Sequence, residues 1–454
     1  MDKMKENGGK IMTICRKATK AFMILATVSL IAAPAVLPPA ATVLPFAVCE
    51  ASPSYIDESL RPLQPFVTIY NCVDTDGEGV ELLRTRWNKV DVSGQPGEFS
   101  ALKEALREYN GETEWQAVDT RKVWTGMATA FQDEMRKAGA TPIYPLRKET
   151  DIFIRRADTL AFSFVESTWH DEGYGHSAYF VDGRTYDVCT GKQLDVSDVF
   201  TDISELAGAI DAQLRRDYPN AAFMENGGMG LAERVEHFLR ENGKSGWTLD
   251  PCGASFYYSP GSFEGVKEVL TSTILFDERP ELFKDEYRRA PLSYCMELRP
   301  WLPVRTTFAD GSGRALQIQQ IVSSNEKLTV FCGGSRYVEP GFARDVKATL
   351  VSLDDGRRYI YADILSDDRD YTTYIYDLNG DAPVRVPMKR TMTRHAATRA
   401  GEPGKPGEDI FYTLTDLGDF LMNDLDTPKE LRPLRRCRVG ADGAPEVIWV
   451  QGMG

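Results

Sequence analysis

The chain has 454 residues, of which 42% are hydrophobic and 26% charged. That balance belongs to packed globular proteins and excludes a disordered polymer, a collagen and a polytopic membrane protein. Asp and Glu number 67 against 53 Lys and Arg, a formal charge of −14, which argues against nucleic acid, a partner that demands clustered basic side chains.

Lys3, Lys5, Lys10, Arg16, Lys17 and Lys20 precede an apolar run from Ala21 to Val36, and small residues follow. That order is the one an export signal needs. Residues 1–51 are expected to be a signal peptide, with cleavage after Ala35 or Ala51. The apolar run is short for a span and is broken by Pro34, so a membrane enters only through an uncleaved signal. The expected compartment is extracytoplasmic, either secreted or periplasmic. Beyond the signal stand Cys72, Cys189, Cys252, Cys295, Cys332 and Cys437. An even number in an exported chain points to disulfides, with the connectivity open. No pair has the C-x-x-C spacing of a zinc or redox site.

Residues 52–66 are rich in Ser and Pro and read as a tether. Leu82 to Val92 reads as a strand. Phe99, Leu102, Leu106 and Tyr109 recur at helical spacing, which predicts a helix from Glu98 to Tyr109 that Asn110-Gly111 ends. A second helix is predicted from Thr120 to Ala138, with Val123, Met127, Phe131, Met135 and Ala138 along one face and Gly139 as its C-cap. Leu160, Phe162 and Phe164 alternate as in a half-buried strand. Ala178–Val181 and Thr185–Val188 flank Asp182-Gly183, a strong hairpin signal.

Asp202 and Glu205 form a capping-box pattern for a helix to about Tyr218, with Leu206, Ile210 and Leu214 inward. A shorter helix is predicted over Leu231–Glu241, then strands at Ser255–Tyr258 and Val269–Phe276. This order defines an α+β domain over 67–290, an antiparallel sheet with packed helices. After Pro300 the texture changes, and 315–386 is nearly all strand and turn, with turns at Asp355-Gly356 and Asn379-Gly380. The segments RRYIYADIL and YTTYIYDL are like two strands of a propeller blade. Residues 300–454 are expected as a smaller β-rich accessory domain, with a mobile Gly/Pro loop near 398–408.

Chemistry is sparsely signalled. The four histidines are His170, His176, His237 and His395. His170 and His176 flank an acidic-aromatic stretch, WHDEGYGHSAY. A metal held there with Asp171 and Glu172 lacks an evident third neutral ligand, so neither metal nor cofactor is expected. No G-x-S-x-G elbow occurs, and with 67 acids no carboxylate pair stands out as hydrolytic. The best candidate surface is the stretch itself: Trp169, His170, Asp171, Glu172, Tyr174, His176 and Tyr179, aromatics beside acids.

Residues 159–200 combine a strand, the turn Gly173-Tyr174-Gly175-His176, the segment Tyr186-Asp187-Val188-Cys189-Thr190-Gly191-Lys192 and the run Leu194-Asp195-Val196-Ser197-Asp198-Val199-Phe200. In that order they resemble the RsiV-like extracellular domain, found in lysozyme-sensing anti-sigma factors and beside bacterial peptidoglycan deacetylases. The helix FSALKEALREYN upstream and Leu249–Phe276 downstream fit the same layout, so the resemblance spans about 67–290. It implies a free-standing, non-enzymatic envelope module that binds a basic protein such as lysozyme, or cell-wall material. The alternative is a wall-polymer hydrolase whose carboxylates are unassigned.

Overall fold

The computed structural model describes residues 55–95, 97–139, 145–173, 177–221, 223, 229–320, 326–366, 370–394, 396–399, 407–428 and 431–450. The expected signal peptide therefore lies outside the described residues, as do Tyr174 and His176. Residues 55–66 of the expected tether lie against the fold: Tyr55 and Leu63 are buried, and the Tyr55 hydroxyl donates to Asp277 at 2.8 Å.

The first sheet is built from β1 (Pro65–Thr75), β2 (Glu81–Val92), β3 (Leu146–Ala157), β4 (Ala161–Asp171) and β5 (Ser177–Asp187), adjacent in that order. Neighbours are antiparallel except β2 and β3, which run parallel. A parallel pair needs a long crossover, and helix α1 (Ser100–Lys137) supplies it. This one helix of 38 residues replaces the two predicted from sequence. Asn110 does not break it, because its side chain is occupied elsewhere. Its Oδ1 accepts from the Val90 backbone N–H at 2.9 Å and its Nδ2 donates to the Val90 carbonyl at 2.9 Å. Gly111 stands in open space. The buried stripe in the distal half also differs from the prediction. Trp124, Ala128, Phe131 and Gln132 face inward, while Val123 and Met127 are exposed.

The predicted hairpin at Asp182-Gly183 is absent, because β5 runs straight through it. Gly183 is used for close approach instead. A Cβ there would stand 2.6 Å from the backbone carbon of Trp247, and Asp182 Oδ1 accepts from Gly246 N–H at 2.6 Å. The layer that presses in is a three-stranded sheet of β6 (Trp247–Asp250), β7 (Gly253–Tyr258) and β8 (Leu270–Leu275). It shares a core with α2 (Val196–Val199), α3 (Ile203–Asp217) and α4 (Leu231–Glu241). Asp202 caps α3 as predicted, its Oδ1 accepting from the N–H groups of Ser204 and Glu205.

The remaining strands form three stacked sheets. A five-stranded sheet holds β9 (Tyr294–Leu298), β14 (Asp345–Ser352), β15 (Arg358–Leu365), β16 (Tyr371–Asp377) and β17 (Val384–Val386). One of its faces packs Leu350, Ile360 and Ile364 against the sheet of β10 (Val304–Thr307), β11 (Gly313–Gln319), β12 (Glu326–Cys332) and β13 (Ser335–Pro340). The other packs Val351, Tyr359 and Tyr361 against β18 (Met392–Arg394), β21 (Phe420–Asp424), β22 (Leu434–Val439) and β23 (Pro445–Val450). Burial on both faces explains the continuous apolar and aromatic run of β15. The blade-like strands thus belong to an open sheet between two others, and the described residues form no ring of blades. Finally β19 (Ala396–Arg399) and β20 (Gly407–Tyr412) return to the first sheet, where β20 pairs with β1 from Phe66↔Tyr412 to Asn71↔Gly407. Residues 398–399 and 407–408 of the expected mobile loop are therefore strand, and 400–406 lie outside the described residues.

The expected disulfides are absent. Cys72, Cys189, Cys252, Cys295, Cys332 and Cys437 are free thiols, all buried except Cys189. They sit in different strands and loops as small apolar side chains. Even Cys295 and Cys437, members of one apolar cluster, remain unbridged, and burial pushes the Cys437 thiol up to about 11. Two glycine substitutions check this packing by denaturant titration. Gly183→Ala should lose about 3 kcal/mol, because the new methyl meets backbone. Gly111→Ala, in open space within a continuous helix, should gain about 0.5–1 kcal/mol.

Candidate functional site

Helix α1 is anchored at both ends and polar between them. Leu102, Leu106 and Tyr109 pack with Ile152, Ile154, Phe162 and Phe164. Further along, Trp124, Ala128 and Phe131 pack with Leu82, Leu83 and Leu146. Over the intervening turns the helix presents Glu112, Thr113, Gln116, Ala117 and Thr120, and a cleft of about 350 Å³ opens beneath them. The sheet contributes Thr85 and Trp87 from β2, Lys148 and Thr150 from β3, Glu166, Thr168 and His170 from β4, and Phe180 and Arg184 from β5.

The cleft floor is charged and desolvated. The Tyr109 hydroxyl donates to Glu166 Oε2 at 2.5 Å. Burial raises the Glu166 carboxyl above its ordinary range, against the opposing pull of Tyr109 and Arg184. Burial lowers the Lys148 ammonium, whose Nζ donates to Thr120 Oγ1 at 3.1 Å. Arg184 lies over the Tyr109 ring at 5.3 Å and stands 3.4 Å from the Asp182 carboxylate. His170 is held low by burial and then by Lys148, which favours the neutral imidazole. Its ring meets Trp124 edge-on at 5.7 Å and Phe180 at 5.3 Å. Among the described residues, four that line the cleft carry buried polar atoms with no hydrogen-bond partner: Thr85 Oγ1, Arg86 Nε, Trp87 Nε1 and Arg184 Nε, of which Arg86 also lines the cleft on the other face of the sheet. Thr85 and Trp87 are only 5% and 8% exposed, so these are desolvated groups with unmet demand.

A second cleft, of about 260 Å³, opens between the first sheet and the five-stranded sheet. Here several charges are paired, although Arg86 Nε has no hydrogen-bond partner among the described residues. Arg86 donates to Glu149 Oε2 at 2.7 Å and lies 3.2 Å from Asp151. Glu297 accepts from the Ile154 N–H at 2.7 Å. Arg299 lies over the Tyr179 ring at 4.1 Å and donates from Nε to Ser167 Oγ at 3.0 Å, and burial pulls its guanidinium down to about 10. The Glu297 and Arg299 bonds join the two layers, while the Arg86 pairs lie within the first sheet.

The structure divides the candidate surface read from sequence. Trp169 and Tyr179 are cross-strand partners on one face, where Arg147 lies 5.7 Å from the Trp169 ring centre. His170 belongs to the opposite face and lines the helix-side cleft. Alternation along a strand places consecutive residues on opposite faces. Asp171 Oδ1 accepts from Gly173 N–H at 3.0 Å in the turn, and Glu172 is exposed. Sequence reasoning missed Thr85, Trp87, Tyr109, Lys148, Glu166 and Arg184. The signal was present as a gap. The apolar stripe of α1 lapses between Tyr109 and Trp124, and that gap is the cleft roof. Among the described residues no group of three His, Cys, Asp or Glu converges to hold a metal ion, and no helix is long and apolar enough to cross a membrane.

No protein-family model and no curated protein matches the chain. Among solved structures, a member of the DUF3298 family from Bacteroides fragilis NCTC 9343 is similar over 50% of this chain and 94% of its own, at 16% identity and TM-score 0.37. A DUF3298 family protein from Pseudomonas aeruginosa PAO1 is similar over 51% of this chain and 97% of its own, at 12% identity and TM-score 0.26.

Glu166 gives a pH signature. Its carboxyl is raised above the ordinary 4.5 in the folded state, so the folded protein holds the proton more tightly than the unfolded chain. That contribution is fully present below 4.5 and is lost as pH rises through the folded value. Between about pH 5 and 8, Glu166→Gln should therefore lose less Tm than the wild type, measured by thermal melts across that range.

Proposed function

We propose that the chain is an exported cell-envelope protein and that its α+β part is a non-enzymatic binding module whose ligand lies in the helix-side cleft. One observation carries this reading: among the described residues, Thr85 Oγ1, Trp87 Nε1 and Arg184 Nε, on residues lining that cleft, have no hydrogen-bond partner. Natural proteins satisfy most such groups with protein, water or ligand. Trp87, Phe180 and His170 add ring surface beside hydroxyls and an amide from Thr113, Gln116 and Thr120. Rings with interspersed polar groups suit a saccharide, so cell-wall material is the ligand class. The similarity of residues 159–200 to RsiV-like domains supports the envelope setting.

Docking of a basic protein such as lysozyme is the second reading. The formal charge of −14 favours it through long-range attraction, and the exposed Glu172 beside Trp169 offers a corner for contact. Hydrolysis has less support. Glu166 is committed to Tyr109, and the other acid lining the cleft, Glu112, is exposed.

Calorimetric titration of the exported chain with soluble muropeptides should give binding without release of new reducing ends. Thr85→Val and Trp87→Phe should each weaken that binding about fivefold, the loss of one hydrogen bond. Unchanged affinity in both variants would remove the cleft from the reading. Heat with lysozyme that fades from low to moderate salt would select the second reading instead.

A further inference from the structure

We infer that the ligand of the helix-side cleft carries a carboxylate, received by Lys148 and Arg184. This rests on the cleft being the binding site. Among the described residues, Lys148 Nζ has a hydroxyl partner, Thr120 Oγ1 at 3.1 Å, and no carboxylate within 4.0 Å. Glu166 opposes its charge only from beyond that distance, and a partly buried ammonium with no close counterion is costly, a cost that an arriving anion relieves. Arg184 keeps one open donor. Its nearest acid is Asp182 at 3.4 Å, and its Nε has no acceptor.

The unmet demand in the cleft is one-sided. Trp87 Nε1 and Arg184 Nε are N–H donors, and the Thr85 hydroxyl can donate as well. Such a wall selects a ligand rich in acceptors. A carboxylate brings two oxygens with about four lone-pair sites and matches the fork of a guanidinium. A cationic ligand is disfavoured, because it would meet Lys148 and Arg184 while Glu166 Oε2 already accepts from Tyr109. The rings of Trp87, Phe180 and His170 leave an apolar wall for the body of the ligand. Together these features describe a sugar acid or an acylated peptide end, with the carboxylate as the shared chemistry.

The test is calorimetric titration of the full exported chain with three probes. N-acetylmuramic acid bears a lactyl carboxylate, N-acetylglucosamine is the same sugar without it, and acetyl-D-alanyl-D-alanine bears a peptide carboxylate. A carboxylate site should prefer one of the two acids over N-acetylglucosamine by about tenfold or more, and the preferred acid names the source. Lys148→Gln and Arg184→Gln should each remove most of that preference. Residual N-acetylglucosamine binding and an unchanged far-ultraviolet spectrum report that the variants are folded, and Lys148→Arg should retain the preference. If N-acetylglucosamine binds as tightly as either acid, the carboxylate is wrong while the cleft remains a binding site. If none of the three binds, and muropeptides also give no heat, the binding-site reading falls and takes this inference with it.

Discussion

Asn110 clasps the backbone of Val90 with two hydrogen bonds, and much else follows from that clasp. It ties the longest helix among the described residues to the sheet one turn beyond Leu106, where the first apolar anchor ends. The helix can therefore run on across β2, β3 and β4 with a polar underside. Its apolar anchors sit at the two ends, around Leu106 and around Phe131. Two anchored ends and a polar span leave a cleft, and the residues beneath it keep charge and hydrogen-bonding capacity that a filled core would have excluded.

The same sheet is held to the rest of the molecule by buried charge. A bulge in β3 between Ile154 and Arg156 turns both Arg155 and Arg156 inward. Arg155 donates to Asp250 Oδ2 at 2.7 Å and to the Glu297 carbonyl at 3.0 Å, so it joins β3 to β6 and β9 together. Arg156 donates to Asp158 at 2.7 Å and to the Arg289 carbonyl at 2.7 Å. Burying guanidinium groups costs desolvation, and only complete pairing offsets it. What this arrangement supplies is registration: each arginine fits one alignment of three layers. The β20–β1 pairing adds a backbone tie from the far end of the chain.

The two clefts on either side of this sheet differ in how far their polar groups are paired within the protein. Between the sheets, Arg86, Asp151, Glu149 and Glu297 find partners in the protein, and the Glu297 bond joins the layers. Under the helix, Lys148 has only a hydroxyl, and Trp87 Nε1 and Thr85 Oγ1 have no hydrogen-bond partner. The difference is one of degree, since Arg86 Nε between the sheets also has no hydrogen-bond partner among the described residues. Burial alone does not separate them, since both contain acids raised by desolvation.

Local pattern was enough for the coarse fold. Alternation in β4, the Asp202 cap of α3, the helix at Leu231 and the strand-rich texture after Pro300 are all properties of short segments, and each was legible from its own residues. The sequence also held the cleft in negative, as the lapse of apolar periodicity between Tyr109 and Trp124. What misled was local chemistry with a distant use. Asn110-Gly111 looks like a helix stop and Asp182-Gly183 like a turn, yet Val90 and Trp247, far away in the chain, recruit them for a clasp and a close approach. The acidic-aromatic stretch from Trp169 to Tyr179 was visible as a cluster, but strand alternation sent its members to opposite faces. The sequence by itself determined the type of most helical and strand segments, though not where α1 and β5 end, because propensity and periodicity act over a few residues. Only the tertiary structure decided where the cleft lies and which side chains share it, because those depend on layers that meet across hundreds of residues.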